Sequence, residues 1–164
     1  MATIHSRKAW GAKTPKPRTP QNVKAVRELF VHWPGGIPAT WQSVNTAAEE
    51  RQTMRNIQSF HMGPERGWSD FAYNFAIFQS GRIYRGRGMD WVPAAQAGHN
   101  TNTTAVVVFI GPEDRPSSAV LVALKSLRHH CERRAGHRLA VRPHGAVTST
   151  ECPGPRLRAF VSDL

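Results

Sequence analysis

The sequence predicts a single α/β domain in which helices flank a central mixed β-sheet. Short β-branched and aromatic segments alternate along the chain with segments of helical periodicity, a pattern typical of this architecture. The chain has 164 residues, of which 40% are hydrophobic, so it is long enough and apolar enough to bury one core. No internal repeat divides it, and the proline-rich segment 14–20 is too short to separate two domains. We therefore expect residues 1–164 to form one domain, without a separate cell-wall-binding domain.

The first half of the chain contains a predicted strand followed by a helix. Residues 29–33 (LFVHW) form a short apolar run that ends at Pro34, as expected of a buried strand that leads into a loop. Residues 46–61 carry apolar side chains at helical spacing. Thr46 and Glu49 have the spacing of a capping box, so this helix is expected to begin there.

The middle of the chain predicts strands. Residues 71–78 (FAYNFAIF) and 82–85 (RIYR) flank a tight turn at Ser80-Gly81, which indicates a β-hairpin. Residues 105–110 (AVVVFI) are a continuous apolar, largely β-branched run. Such a run suits a strand that is buried on both faces, in the middle of the sheet.

The last third of the chain predicts two helices and a strand. Residues 117–135 have an apolar face at helical spacing, a serine that can cap the first turn, and Gly136 directly after the last turn. Residues 139–141 are predicted to form a short strand, and residues 155–161 a final short helix.

The charge of the chain favours polyanionic partners. Twenty-two Lys and Arg residues face eleven Asp and Glu residues, which gives a formal net charge of +11. Such a surface attracts nucleic acid, anionic membranes and anionic cell-wall polymers, and charge alone does not choose among them. The chain has no run of about 18 apolar residues and no apolar N-terminal leader, so we expect no membrane span, no signal peptide and synthesis in the cytoplasm.

Three residues form a candidate metal site. Catalytic zinc takes three protein ligands, commonly imidazole nitrogen and thiolate sulfur, and keeps one position open. His32 lies at the end of a predicted strand, and His144 and Cys152 lie eight positions apart in a polar segment that Pro153-Gly154 closes. With eight histidines in the chain, a single one is more often a surface or core residue than a ligand. The spacing alone is therefore a weak indication.

Six sequence motifs, in order over nearly the whole chain, strengthen that indication. Together they resemble the type 2 N-acetylmuramoyl-L-alanine amidases, a family that includes peptidoglycan recognition proteins and small phage endolysin amidases. The matching segments are 4–12 (IHSRKAWGA), 31–32 (VH), 57–77 (IQSFHMGPERGWSDFAYNFAI), 81–88 (GRIYRGRG), 98–111 and 144–154 (HGAVTSTECPG).

The resemblance implies a zinc hydrolase that cuts the amide bond between N-acetylmuramic acid and the L-alanine of the peptidoglycan stem peptide. It implies that His32, His144 and Cys152 hold Zn²⁺, and that Tyr73 and Thr150 are catalytic. Considered without the resemblance, Tyr73 would be a core residue of a strand and Thr150 a loop residue that caps a turn.

Substrate contacts are less well indicated. His99 and Asn100 lie in a loop that resembles a family segment, and Arg85 could meet carboxylates of the stem peptide. Arg85 and its neighbours could equally form a solvated face. The family often has a histidine at the position that Ala95 occupies here, and His99 is a possible replacement. We expect His61 to be structural.

Other features suggest alternative interpretations. The sequence His129-His130-Cys131 looks like a metal cluster, but adjacent helical residues point in different directions. We expect Cys131 to be a buried, reduced residue. A general polyanion-binding surface is predicted from five arginines: Arg133, Arg134, Arg138, Arg156 and Arg158.

Three functions therefore compete. The first is a zinc amidase. The missing leader, the small size and the basic charge together favour a phage endolysin that is made in the host cytoplasm and reaches the wall after release, and we expect it to be a monomer. The second is a non-catalytic peptidoglycan-binding module of the same fold, and such relatives typically lack the cysteine ligand. The third is a nucleic-acid-binding protein, for which the sequence offers charge but no recognisable motif, so that nucleic-acid binding is expected to be non-specific at most.

Overall fold

The computed structural model describes residues 3–35 and 38–164. Six strands form one sheet, and the strand order across it is β1-β4-β3-β5-β2-β6. The strands are β1 (Ile4–His5), β2 (Glu28–His32), β3 (Phe75–Ile77), β4 (Ile83–Arg85), β5 (Thr103–Val108) and β6 (Ala140–Pro143).

The sheet is mixed. Strand β3 pairs with β4 in antiparallel orientation, and the other four pairings (β1 with β4, β3 with β5, β5 with β2, and β2 with β6) are parallel. The continuous apolar strand β5 lies in the interior of the sheet, as predicted, and all six of its residues are buried. The helices are α1 (Arg7–Trp10), α2 (Ala47–Met62), α3 (Ser118–Ala135) and α4 (Pro155–Ser162), with 3₁₀ turns at Val23–Ala25 and His144–Ala146.

The two longest helices cover opposite faces of the sheet. Helix α3 packs on the face that carries Leu29, Val31 and Phe75, together with α4. Helix α2 packs on the other face, where Met54 joins a cluster rich in aromatic side chains that includes Phe109. Successive side chains of a strand point to opposite faces. The two clusters therefore confirm a single α/β domain with helices on both sides of a mixed sheet.

The helix ends follow local sequence signals. Thr46 caps α2 and forms the predicted capping box with Glu49. Ser117 caps α3, and Gly136 ends it with a φ of 82°, a left-handed conformation that glycine adopts without strain.

One predicted strand is much shorter in the structure. Only Phe75–Ile77 of the predicted segment 71–78 belongs to the sheet. The preceding backbone N–H groups have other partners, since Phe71 N donates to the Asp70 carboxylate and Ala72 N donates to His61 Nδ1. These side chains replace a neighbouring strand, so the segment bends before it joins the sheet.

Both cysteines are free and buried, as expected of reduced residues. Within the described ranges, no helix combines the length and the apolar character that crossing a membrane requires.

Candidate metal centre

His32 is the last residue of β2 and points to the α2 face of the sheet. Leu29 and Val31 face α3, so the alternation of the strand turns His32 the other way. Its side chain is almost fully buried, with 2% of the residue exposed. A rigid interior strand therefore fixes the position of the imidazole.

His144 reaches the same place from the neighbouring strand. Strand β6 runs parallel to β2, so the C-terminal ends of both strands lie at one edge of the sheet. His144 begins the 3₁₀ turn directly after β6. The two imidazole rings lie 4.5 Å apart between their centroids.

Cys152 completes the group from the loop before α4. Its Sγ lies 3.7 Å from His32 Nδ1 and accepts a hydrogen bond of 3.4 Å from the backbone N–H of Trp33. The loop packs closely on Trp33, since a Cβ added at Gly154 would lie 2.7 Å from the indole. One donor atom from each of His32, His144 and Cys152 lies within 4.8 Å of the other two.

Gln96 orients the first of these side chains. Its Oε1 lies 3.0 Å from His32 Nε2, so the proton of the neutral ring resides on Nε2 and the lone pair of Nδ1 faces Cys152. Gln96 is fully buried, and its amide nitrogen donates to Thr103 Oγ1 at 2.8 Å. This residue could not be predicted from the sequence, because 64 positions separate it from His32 and no motif marks it.

The electrostatic environment keeps both imidazoles neutral. Burial, with a smaller contribution from His144, lowers the pKa of His32 to about 3. Burial also lowers the pKa of His144. Burial raises the pKa of the Cys152 thiol to about 11, although the Trp33 N–H and the Arg158 guanidinium act in the opposite direction.

Two neutral imidazoles and a thiol that a divalent cation can deprotonate are a donor set that suits zinc. The three residues would leave one ligand position for water or substrate, which is the composition of a catalytic rather than a structural zinc site.

Tyr73 lies next to this cluster and lines a cavity. Its ring centroid is 5.2 Å from that of His32. Burial raises the pKa of its phenol well above the usual range, so the hydroxyl stays protonated and remains a hydrogen-bond donor at neutral pH. The cavity has a volume of about 250 Å³ and is mainly apolar. Its lining consists of Pro34, Trp41, Ile57, Phe60, His61, Tyr73, Val107 and Phe109.

Thr150 lies in the loop that carries Cys152. Its Oγ1 accepts a hydrogen bond from the Cys152 N–H at 3.2 Å, and its carbonyl accepts one from Arg158 Nη2 at 2.8 Å. The hydroxyl proton of Thr150 remains available for another acceptor.

The three predicted substrate contacts lie in different places. Asn100 Oδ1 accepts hydrogen bonds from the N–H groups of Ala95 and Gln96, so Asn100 shapes the loop that carries Gln96. His99 is exposed in the same loop.

The structure does not bring Arg85 to the metal centre. Arg85 pairs with Phe75 across the hairpin and therefore lies on the α3 face, where it forms an ion pair with Asp90. Its neighbour Arg87 is buried and donates to the carbonyls of Phe71 and Val92.

His61 and the His129-His130-Cys131 segment also agree with their sequence-based interpretation. His61 Nδ1 accepts the Ala72 N–H at 3.1 Å and so supports the backbone next to Tyr73. The His129 side chain is 71% exposed whereas Cys131 is fully buried. These side chains point apart, and among the described residues the potential metal ligands that cluster are His32, His144 and Cys152.

Comparison with known proteins shows which family the chain belongs to. No profile of a known protein family matches the sequence. Peptidoglycan recognition protein 1 of Bos indicus is 32% identical over 167 residues, which cover 97% of this chain and 82% of that protein. The chain belongs to the family of peptidoglycan recognition proteins and N-acetylmuramoyl-L-alanine amidases. The resemblance on which the sequence analysis depended is thereby confirmed.

Other family members show the same relationship. The N-acetylmuramoyl-L-alanine amidase of Sus scrofa is 33% identical over 161 residues, and the match covers 94% of this chain but 26% of that protein. The chain thus spans about a quarter of the length of this amidase.

Solved structures of the family share the fold. Drosophila PGRP-LB superposes with a TM-score of 0.87 at 30% identity, over 99% of this chain and 94% of that chain. A variant of PGRP-LB in complex with tracheal cytotoxin gives a TM-score of 0.86 at 29% identity, over 97% and 92% of the two chains.

Proposed function

We propose that the chain is a zinc-dependent N-acetylmuramoyl-L-alanine amidase domain that hydrolyses the amide bond between N-acetylmuramic acid and the L-alanine of peptidoglycan. The observation that carries the proposal is the convergence of His32, His144 and Cys152, whose donor atoms lie within 4.8 Å of one another beside Tyr73. Relatives that are named N-acetylmuramoyl-L-alanine amidase support the same reaction.

His32, His144 and Cys152 would hold the zinc ion, which when bound supplies a Lewis acid that polarises the amide carbonyl. The burial of His32 and Cys152 lowers the local polarity and so strengthens electrostatic interactions at the reacting carbonyl. Gln96 holds the His32 ring in the orientation in which Nδ1 faces Cys152.

Tyr73 acts in this proposal as a hydrogen-bond donor. Its hydroxyl stays protonated at neutral pH because burial raises its pKa. It can therefore donate to the oxyanion that develops when a water molecule attacks the amide carbonyl, which is the kind of interaction that stabilises the transition state of acyl transfer. The C–N bond then breaks, and a proton from the attacking water passes to the leaving L-alanine nitrogen, so that a carboxylate and a free amine result. Thr150 offers a second hydroxyl donor from the Cys152 loop, and its accepted bond from Cys152 N–H fixes its side chain.

The apolar cavity next to Tyr73 provides the binding site for the glycopeptide. Its volume of about 250 Å³ accommodates part of the substrate, and its lining of Trp41, Phe60 and Phe109 offers aromatic surfaces for packing. His99 remains a candidate contact because it is exposed in the loop beside Gln96.

A non-catalytic binding module is the second candidate, since several relatives are named as recognition proteins. The intact donor set, with Cys152 among the ligands, favours the enzyme. A soluble N-acetylmuramoyl peptide separates the two functions. With zinc-loaded protein we expect a free peptide with a new L-alanine amino group, and the Cys152→Ser variant should form none. Binding of this ligand without any cleavage by the zinc-loaded protein would favour the recognition module.

The basic charge of +11 further suggests a phage endolysin that acts on the bacterial wall as a monomer after release from the host cytoplasm. Expression in a bacterium should then cause lysis when a membrane-permeabilising protein is made with it and not when it is made alone. Lysis that does not depend on the permeabilising protein would contradict this role.

A further inference from the structure

A cationic surface lies at the opposite edge of the sheet from the metal centre. We define it by four residues, Lys24, Arg27, Arg133 and Arg138. Arg27 immediately precedes β2, and His32 ends the same strand. At about 3.3 Å per residue, the two positions are about 16 Å apart along the strand. The surface is therefore separate from the catalytic candidates.

Contacts between backbone and side chains hold the cationic surface together. Lys24 Nζ donates to the Arg134 carbonyl at the end of α3, at 2.9 Å. Arg27 Nη1 donates to the Lys24 carbonyl and lies 2.7 Å from His137 Nε2. A shallow cavity of about 420 Å³ adjoins them, lined by His129, Glu132, Arg133, Gly136, His137 and Arg138. The four cations therefore belong to one continuous face.

The charge of this surface is not neutralised internally. Across residues 3–35 and 38–164, none of the four cations forms an ion pair. The one carboxylate in the cavity lining, Glu132, already bonds Arg128 Nε at 2.9 Å and the Leu139 N–H at 3.1 Å. Arg133 and Arg138 are exposed and make no hydrogen bond within the described ranges.

The other arginines of the predicted polyanion-binding set are occupied. Arg134 makes two hydrogen bonds to the Asp90 carboxylate, at 2.9 and 3.2 Å. Arg156 donates to the carbonyls of Glu113 and Asp114, and Arg158 to that of Thr150. Within the described ranges, Arg133 and Arg138 are thus the members of the set that make no hydrogen bond. Lys24 and Arg27 donate to carbonyls but form no ion pair there, and their contacts with the end of α3 place them on the same face.

We propose that this cationic surface is an exosite for a phosphodiester polymer of the bacterial wall, a chain of polyol phosphate units. Arginine guanidinium groups bind phosphate in a fork geometry, and lysine adds a point charge. The large exposed hydrophobic side chains of the described ranges are Phe60 and Val122, and neither lines this face. Single-stranded nucleic acid is normally held by aromatic stacking, which this face does not offer.

The choice of a wall polymer rests on the proposed amidase function, whereas the exosite itself does not. An exosite at the other end of β2 from His32 would keep the enzyme on the wall while its active site remains free. The tethered enzyme would then find its next substrate at a raised effective concentration.

The test is binding of a fluorescent poly(glycerol phosphate) chain, measured by anisotropy from about 50 to 200 mM salt. The Arg133→Gln/Arg138→Gln double variant should bind at least about tenfold more weakly at the lower salt concentration. The slope of log K against log salt should fall by about 1.4, since each phosphate contact on a flexible polyanion contributes about 0.7. Adding Lys24→Gln and Arg27→Gln should double the loss of slope.

The matched control is the Lys8→Gln/Lys13→Gln variant, which removes the same charge from two exposed lysines outside the cationic surface. It should bind the polymer as the parent protein does. Equal weakening in both double variants would show an effect of net charge only and would overturn the exosite. Tighter binding of a single-stranded DNA of equal phosphate number, lost in the Arg133→Gln/Arg138→Gln variant, would make it a nucleic-acid site instead.

Thermal unfolding identifies variants that fail to fold. The Arg133→Gln/Arg138→Gln variant should melt as the parent does, because neither side chain makes a hydrogen bond or ion pair to another described residue. Cleavage of a soluble N-acetylmuramoyl peptide distinguishes this proposal from the proposed function. We expect both double variants to cleave it at the parent rate. If the protein binds the polymer through Arg133 and Arg138 but does not cleave the peptide, the binding surface would be supported and the proposed amidase function would be contradicted.

Discussion

Tyr73 and Gln96 both lie next to the imidazole of His32, and they have different roles. The Tyr73 ring centroid is 5.2 Å away, and its hydroxyl is a protonated donor beside the cluster. Gln96 accepts the Nε2 proton at 3.0 Å and thereby fixes the ring. Tyr73 is expected to stabilise the transition state of the reaction, and Gln96 is expected to orient His32 for metal binding.

Replacing Tyr73 with phenylalanine removes the donor and keeps the ring. We expect kcat/KM on a soluble N-acetylmuramoyl peptide to fall about 100- to 1000-fold, the typical loss of one oxyanion donor. Zinc affinity should not change, because the phenol is not among the three ligands. Steady-state kinetics combined with metal titration measures both quantities. An unchanged kcat/KM would remove Tyr73 from the mechanism.

Replacing Gln96 with leucine removes the acceptor for His32 Nε2–H. We expect zinc affinity to fall about 10- to 100-fold, the usual effect of losing a hydrogen-bond partner of a metal-bound histidine. The matched control is Gln21→Leu, because Gln21 donates to the carbonyls of Met89, Trp91 and Thr103 and does not contact His32. Calorimetric zinc titration should show weaker binding in the Gln96 variant alone, and equal affinities in the two variants would contradict the positioning role.

These residues differ in how far the sequence predicted them. His144 and Cys152 were accessible because they lie eight positions apart in one loop and match a family motif. Gln96 was not, because the contact that reveals its role joins residues 64 positions apart. Arg85 was assigned to the substrate site from its place in the chain, but the pleat of β4 turns it to the other face of the sheet.

Secondary-structure elements show the same division between local and long-range signals. The ends of α2 and α3 were predicted to within a residue because capping depends on neighbouring side chains. Strand β1 and helix α1 were missed, since two- and four-residue elements carry no periodicity. The segment 71–74 resembled a strand by composition, yet Asp70 and His61 take its backbone N–H groups.

Asn74 links the segment before β3 to β5 and to the loop after β4, so its loss should affect stability strongly. Its Nδ2 donates to the carbonyls of Gly88 and Trp91, and its Oδ1 accepts the N–H of Ala105 in β5. Asn74→Ala takes the side-chain acceptor from the buried Ala105 N–H, which costs about 1–3 kcal/mol, and removes one hydrogen bond from each of the two carbonyls, which keep a second donor in Gln21 or Trp91. We therefore expect the unfolding free energy to fall by about 2 kcal/mol or more. Urea denaturation of the parent and the variant measures this difference in unfolding free energy.

The Thr46→Ala variant provides a reference for that measurement. It removes one exposed helix cap and should lower the unfolding free energy by about 1 kcal/mol. If Asn74→Ala destabilised the protein no more than Thr46→Ala does, the hydrogen bonds of Asn74 would not hold these segments together.

The molecule as a whole should lose stability in mild acid. Burial and the nearby Arg66 and Arg87 lower the pKa of His61 from its ordinary 6.5 to about 4. The unfolded chain then binds more protons than the folded one between these values, so unfolding free energy should fall as pH drops from 6.5 to 4. His32, with a pKa of about 3, acts in the same direction in the metal-free protein.

The His61→Gln variant isolates this contribution. Its stability between pH 6.5 and 4 should depend less on pH, by up to about 1.4 kcal/mol per pH unit at the steepest point. Urea denaturation of both metal-free proteins across this range gives the two slopes. Identical slopes would show that His61 does not titrate as its burial implies.

The metal ligands and the cationic surface lie at opposite ends of strand β2. The carboxyl ends of β2 and β6 carry the metal ligands, and the segment before β2 carries part of the cationic surface. The net charge can be counted from the sequence and the family could be predicted from it. Which arginines make no hydrogen bond within the described ranges could not be predicted. That distinction depends on the packing of α3 against Asp90 and on the loop that Arg158 supports.

In the proposed function, the His32, His144 and Cys152 site cleaves the bond between N-acetylmuramic acid and L-alanine. Mass spectrometry of purified peptidoglycan after digestion by the zinc-loaded protein tests it most directly, with Cys152→Ser as the control. We predict stem peptides with new free L-alanine amino groups and intact glycan strands, absent from the control digest. New reducing sugar ends, or peptides cut at another bond, would contradict it.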